Sequence, residues 1–240
     1  MSTALLDLVL PPRCAGCGAP GASGAPVCPR CAAELHGEPE RRAPEPPPPG
    51  LPECWSAAVY AGAVREMVLS YKERGRTALA RPLAGALALA VAVAAGERPV
   101  VLVPVPSAGA ALRRRGHDPV HRLAELAASY LRAAGWPASV ERALTQRRRV
   151  ADQAGLSSLQ RAANVSGAFR VAGARNAPVP RSWGDAGVVV LVDDVVTTGA
   201  TLAEAARALR GAGVAVPLAA TVAATRRRDR ISGISRCHPG

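Results

Sequence analysis

The chain has 240 residues, a formal net charge of +12 and a pI near 10.8, with 49% hydrophobic and only 3% aromatic residues. The length admits one sizeable α/β domain and a small appendage, and the shortage of aromatics excludes a core built on large rings, leaving Ala, Val and Leu to fill it. The basic balance favours anionic partners such as phosphates, nucleotides or nucleic acid, although genome composition accounts for part of it.

Residues 1–36 are Cys-rich and turn-rich. Asp7 and the lack of a basic stretch before the apolar Leu8-Val9-Leu10 argue against a secretory signal, so a cytoplasmic location is expected. Cys14, Cys17, Cys28 and Cys31 form two C-x2-C pairs separated by ten residues. Each such turn aims two thiolates at one point, and two together complete a closed tetrahedral site, so structural Zn2+ is predicted. Two disulfides are the competing arrangement, which a reducing compartment disfavours. Gly16 and Gly18 give the first knuckle its permissive backbone. Folding of so small a segment depends on the metal, whose binding supplies roughly 10–16 kcal/mol. Cys54 reads as core, and Cys237 as incidental to the tail.

Residues 37–53 (GEPERRAPEPPPPGLPE) read as an extended, stiff Pro-rich linker. From 54 to 240 helical and apolar-strand patterns alternate, the signature of an α/β domain with a mainly parallel sheet flanked by helices. Helices are expected over 62–72 and 78–95. The apolar stretch Leu83–Ala95 falls short of the ~18 residues of a spanning helix, so it reads as a buried Ala-rich helix and no membrane insertion is expected. A strand over 99–106, an Arg-rich turn, a helix over 119–134 and a short strand near 138–144 follow. The polar, Arg-rich stretch 146–164 is expected to be a mobile loop. Strands near 168–171 and 187–193, a helix over 200–211, a strand over 214–224 and a basic tail complete the pattern. Lys72 is the only lysine among 30 basic residues; either chance or a need for a compact point charge accounts for it.

The segment VVVLVDDVVTTGATL (188–202) is the most informative. A five-residue apolar strand ends at Asp193 and Asp194; after Val195 and Val196 come Thr197, Thr198, Gly199, Ala200 and Thr201, opening a helix. Ligands of open α/β sheets bind outside the carboxyl ends of strands. A Thr/Gly turn at a helix N-terminus offers backbone N–H groups, hydroxyls and a positive dipole end, which suit a phosphate. The carboxylates would repel a bare phosphate but accept hydrogen bonds from vicinal sugar hydroxyls. Together these features describe a ribose 5-phosphate site. A P-loop is excluded by the absence of G-K-[ST], and an aspartyl-phosphate site by Val195 standing two residues after Asp193.

This segment resembles the phosphoribosyl pyrophosphate (PRPP) signature of type I phosphoribosyltransferases. More of the chain resembles one branch, the ComF family, through the four-cysteine ribbon and the segments 60–76 (YAGAVREMVLSYKERGR), 103–124 (VPVPSAGAALRRRGHDPVHRLA) and 144–169 (LTQRRRVADQAGLSSLQRAANVSGAF). The resemblance implies a type I phosphoribosyltransferase-like fold in which Asp193 and Asp194 hold the ribose hydroxyls and Thr197–Thr201 the 5-phosphate. It implies that the loop at Ser107, Ala108 and Gly109 contacts pyrophosphate, with Arg113, Arg114 and Arg115 close by; a solvated basic turn explains any one of these arginines equally well. Lys72 is a further cation candidate. Arg147, Gln153, Arg161 and Asn164 fall where these enzymes keep a flexible cover. His117 and Asp118 replace the aromatic and Asn more common in the family. Mg2+ is expected to accompany PRPP.

Two functions follow. One is transfer of a phosphoribosyl group to an acceptor with release of pyrophosphate. The other is a non-catalytic PRPP sensor or single-stranded-DNA-binding protein, linked through the family to DNA uptake and to a helicase-type partner. Arginine clusters at 113–115, 147–149 and 226–228 suit phosphate contacts, while the scarcity of aromatics limits base stacking.

Overall fold

The computed structural model describes residues 13–20, 25–107, 118–147, 164–172 and 187–225. Its centre is a six-stranded sheet in the order β1-β2-β8-β7-β3-β4, formed by β1 (Glu40–Arg41), β2 (Glu53–Val59), β3 (Val100–Pro104), β4 (Ala138–Val140), β7 (Val188–Val196) and β8 (Leu218–Ala224). All pairings are parallel except β1 with β2. Every residue of β3 and β8 is buried, as strands covered on both faces require. A separate antiparallel pair joins β5 (Leu144–Gln146) to β6 (Phe169–Val171).

Alternation along β7 divides the core. Val190 and Val192 point to a layer containing α2 (Gly62–Lys72), α3 (Ala80–Ala95) and α4 (Pro119–Ala133). Val189 and Leu191 point to α5 (Ala200–Gly211) and the β5–β6 pair. The sheet is thus mainly parallel and flanked by helices, as the alternating pattern predicts.

The Cys-rich segment is not a tethered bead. Its helix α1 (Pro29–Leu35) buries Leu35 completely in the same core as α2 and α3. His36 Nε2 donates to the Pro82 carbonyl (2.9 Å) and the Arg76 guanidinium to the Arg13 carbonyl (3.1 Å). Residues 40–53, expected as an extended linker, bend and turn (the Leu51 N–H donates to the Pro48 carbonyl, 3.2 Å) and are seated on the domain: Arg41 pairs with Trp55, and Arg210 donates to the Gly50 carbonyl.

Two expectations change, and one strand was not expected. Strand β2 has no sequence signal: its small residues lack alternation because both faces are covered, and pairing with β8 decides its conformation. The strand expected near 138–144 is two, β4 and β5, lying in different sheets. With the short 3-10 turn Thr77–Leu79, the helical span reaches Ala95 and is 19 residues of mean hydropathy 1.8, long and apolar enough to cross a membrane by length and composition. Over half of its apolar window is nonetheless buried, with Ala84, Leu87, Ala90 and Val91 fully inaccessible, so here it serves as a core helix. Cys54 is buried, and burial pushes its thiol up to about 12.

Ser56 and Thr221, both wholly buried, place their hydroxyls 2.6 Å apart between β2 and β8. Thr221 also donates to the Ala223 carbonyl (3.1 Å), so the Ser56 proton is the one shared between the two hydroxyls. Thr221→Val should cost about 1–3 kcal/mol in urea unfolding, and adding Ser56→Ala should recover most of it, because a lone unsatisfied hydroxyl costs more than its removal.

Candidate active site

Strand β7 runs on to Val196, three residues beyond the predicted end at Asp193, so Asp194 also lies within the strand rather than just past it. The register places Asp193 beside Thr221, which is itself beside Ser56. Asp193 therefore continues a polar row that crosses three strands from the buried middle of β2 and β8 toward the carboxyl end of β7. Its Oδ1 accepts the Asp194 N–H (2.8 Å), and Asp194 Oδ1 accepts the Val195 N–H (2.8 Å).

Asp194 is only 4% exposed, and an isolated carboxylate at that depth would lose its hydration without recompense. Lys72 Nζ supplies the counter-charge at 2.6 Å from Oδ2. Lys72 is the last residue of α2, which begins just after the carboxyl end of β2 and finishes against the carboxyl end of β7. At about 16 Å for its length, α2 must lie across this edge of the sheet rather than run back along it. The Asp194 charge holds the Lys72 ammonium well above its ordinary range. Asp193 is raised as well, which for an acid favours the neutral form: burial, then the Asp194 charge, lifts its carboxyl well above the ordinary 3.8. Burial also raises the Tyr60 hydroxyl beside this pair.

Beyond β7, Thr197 and Thr198 are half-buried, and Gly199 takes the left-handed conformation (φ +71°) as the residue before α5. An added Cβ at Gly199 would meet Leu51 and Pro44, each at 3.1 Å, so the Pro-rich segment lies directly against this turn. The Thr225 N–H and hydroxyl hold the turn through the Val196 and Thr197 carbonyls (3.1 and 3.5 Å). The first N–H groups of α5, from Ala200 and Thr201 onward, have no intrahelical acceptor.

Across the edge, Ser107 is fixed by Asp118, whose carboxylate accepts its N–H (3.2 Å) and hydroxyl (3.0 Å) while capping α4 at Val120 (3.0 Å) and His121 (3.3 Å). Asp118 thus acts as a helix cap, for which the Asp-Pro pair at the helix start is the sequence signal. Arg147 closes β5 through its N–H to the Ala168 carbonyl (2.7 Å), and Asn164 opens a helical turn nearby. Ala108, Gly109, Arg113, Arg114, Arg115, His117, Arg148, Arg149, Gln153, Arg161 and the 226–228 cluster lie outside the described residues.

The four predicted metal ligands do converge. The Sγ atoms of Cys14, Cys17, Cys28 and Cys31 all lie within 4.8 Å of one another, with Cys17 and Cys28 at 3.8 Å. Tetrahedral Zn–S bonds of about 2.3 Å imply sulfur separations of about 3.8 Å, whereas a disulfide needs about 2.05 Å, and these thiols are free. Burial acts to raise the Cys14 thiol, but the N–H groups of Cys17, Cys28 and Gly16 outweigh it and lower it to about 6, whereas burial and the neighbouring thiols raise Cys31. It is the convergence of the four sulfurs that speaks for a metal. The donor set fits structural Zn2+.

The phosphoribosyl transferase domain family matches residues 77–237, about two-thirds of the chain. This chain belongs to that family. A double zinc ribbon domain matches residues 5–42, a stretch whose four cysteines suffice for one metal site. No curated protein matches the sequence. The transferase domain implies PRPP as its substrate, and the match spans the acidic pair and the Thr/Gly turn.

Chelating the zinc should lower the melting temperature of the whole protein rather than melt the ribbon alone, because Leu35 and Cys31 belong to the main core; calorimetry reads this as one shifted transition. Gly199→Ala combines a positive φ with close contacts and should cost about 1–3 kcal/mol. Asp193 has a folded-state pKa above its unfolded one, so its ionisation opposes folding, and stability falls as pH rises from the ordinary carboxyl value through the folded one. Asp193→Asn should therefore flatten the pH–stability profile and raise stability at neutral pH.

Proposed function

We propose that this transferase domain binds PRPP across the carboxyl edge of its sheet and transfers the phosphoribosyl group to an acceptor, releasing pyrophosphate. One observation carries the reading: two carboxylates at the end of β7 run directly into a Thr-Thr-Gly turn that opens α5. On this reading Asp193 and Asp194 accept hydrogen bonds from the ribose hydroxyls. The hydroxyls and N–H groups of Thr197 to Thr201 hold the 5-phosphate. Ser107, held by Asp118, starts the loop for the diphosphate, with Ala108, Gly109, Arg113 and Arg115 following. Arg147, Gln153, Arg161 and Asn164 belong to the cover that excludes water from the activated sugar. Mg2+ on the diphosphate would offset the charge of the leaving group.

The chemistry asks for no protein nucleophile. The bond from the anomeric carbon to the diphosphate breaks through a cation-like transition state, and the acceptor's lone pair forms the new bond. Positioning and electrostatics supply the acceleration. The joint presence of ribbon and transferase domain supports assignment to the ComF branch, with residues 1–36 as ribbon, 37–53 as linker and 54–240 as transferase domain, in the cytoplasm where thiolates persist. The net charge of +12 favours a second reading, a PRPP-bound accessory protein that contacts single-stranded DNA during DNA uptake.

Calorimetric titration of the zinc-loaded protein with PRPP should show saturable, Mg2+-dependent binding that Asp193→Asn with Asp194→Asn abolishes. Unchanged affinity in the double variant rejects the ribose assignment. For the second reading, DNA association should weaken steeply with added salt; binding indifferent to salt removes that role.

A further inference from the structure

We propose that Lys72 is a positioning residue, a resident counter-cation that presents Asp194 to a sugar hydroxyl and keeps a divalent metal off the acidic pair. The inference rests on the ribose 5-phosphate reading of this edge and adds what selects the ligand there.

Two adjacent carboxylates at a strand end are, by charge alone, an attractive place for a hard divalent cation, which takes oxygen ligands and prefers carboxylates. Two of the four oxygens here accept backbone N–H groups, and a third, buried and without a hydrogen-bond partner, is in ion-pair contact with Lys72. Asp193 Oδ1 accepts the Asp194 N–H, Asp194 Oδ1 accepts the Val195 N–H, and Asp194 Oδ2 faces the Lys72 ammonium at 2.6 Å. A metal seeking about six oxygens in octahedral order would have to displace Lys72 or bind beside its charge. A hydroxyl makes a smaller demand, because a carboxylate oxygen with one donor retains a second lone pair. Burial raises the Asp193 carboxyl, which further lowers the negative charge that a cation would meet.

The geometry of Lys72 suits this task. The side chain is 37% exposed where the Asp194 side chain is 5% exposed, so one end of the ion pair is open to solvent. An ammonium has three donors, and the salt bridge to Asp194 leaves others for ligand oxygens. Lys72 is also the only lysine in a chain rich in arginine. A compact point charge fits against one carboxylate oxygen, whereas a planar guanidinium would span both and compete with the Val195 N–H. On this account the metal that accompanies the diphosphate arrives with the ligand and is not recruited by Asp193 and Asp194.

The test is titration of the zinc-loaded, ligand-free protein with Mn2+, followed by electron paramagnetic resonance. The wild-type protein should show no saturable site at the acidic pair. Lys72→Met should gain one, and Lys72→Met with Asp194→Asn should lose it again. Saturable Mn2+ binding by the wild-type protein that Asp193→Asn with Asp194→Asn removes would overturn the proposal, with no need for a Lys72 variant to fold. Ribose 5-phosphate affinity should fall roughly tenfold in Lys72→Met and be partly retained in Lys72→Arg; wild-type affinity in Lys72→Met also overturns it. Failure of the wild-type protein to bind ribose 5-phosphate would instead sink the sugar reading itself, and with it the hydroxyl half of the proposal, while the Mn2+ result would still decide the metal-excluding half.

Discussion

The structure turns on the problem of one buried carboxylate. Asp194 sits at 4% exposure on the central strand of a sheet whose neighbouring residues are almost all apolar. Leaving its charge unpaired would cost several kcal/mol. The ion pair with Lys72 removes that cost only if α2 delivers the ammonium to the carboxyl edge, and α2 does so by lying across the edge. The last turn of a helix favours a cation, so Lys72 also offsets the negative end of the α2 dipole. Because Lys72 remains partly open to water, breaking the pair should cost less than the roughly 3–5 kcal/mol of a fully buried one.

The constraint on α2 explains why the ribbon is part of the main core. An added Cβ on Gly16 would lie 2.9 Å from Ala63, at the start of α2, and Arg13 is tied to Arg76 just beyond its end. The metal site thus braces both ends of the helix that neutralises Asp194. A Cys-rich segment of only about 36 residues gains stability by sharing a core, and Ala15, Val27 and Leu35 are among the side chains through which it does so.

What could be read from the sequence follows from the range of the signals. The run 188–202 carries strand, acids, turn and helix start within fifteen contiguous residues, and the four cysteines carry their geometry in their spacing. Both are local, and both are found where the pattern places them. The helices at 62–72 and 200–211 were legible to the residue, because apolar periodicity bounded by glycine defines them. Strand β2 was not legible, since Cys54-Trp55-Ser56-Ala57-Ala58 has no alternation and becomes a strand through a partner far along the chain. The pairing of Lys72 with Asp194 was invisible for the same reason: composition singled out the lysine, but only the crossing of α2 over the sheet edge brings it to the acid. The seat of the Pro-rich segment on Gly199 likewise depends on a contact between distant segments that no spacing encodes.

The electrostatic order of the edge then follows from the topology. In a parallel sheet whose strands are followed by helices, the helix N-termini gather at the carboxyl ends of the strands. Helices α4 and α5 both begin there, the first capped by Asp118 and the second left open after Gly199. The Asp118 carboxylate occupies the Val120 and His121 N–H groups that would otherwise face a ligand, and the same carboxylate accepts the N–H and hydroxyl of Ser107 just beyond the end of the preceding strand. The uncapped α5 keeps its N–H groups and its positive dipole end available beside the acids. Anion attraction is therefore concentrated at the start of α5, while the buried Asp194 carboxylate is matched by its own lysine. On the proposed reading, that arrangement is what would let a phosphate and a polyhydroxylated sugar occupy adjacent positions on an edge that would otherwise repel one or the other.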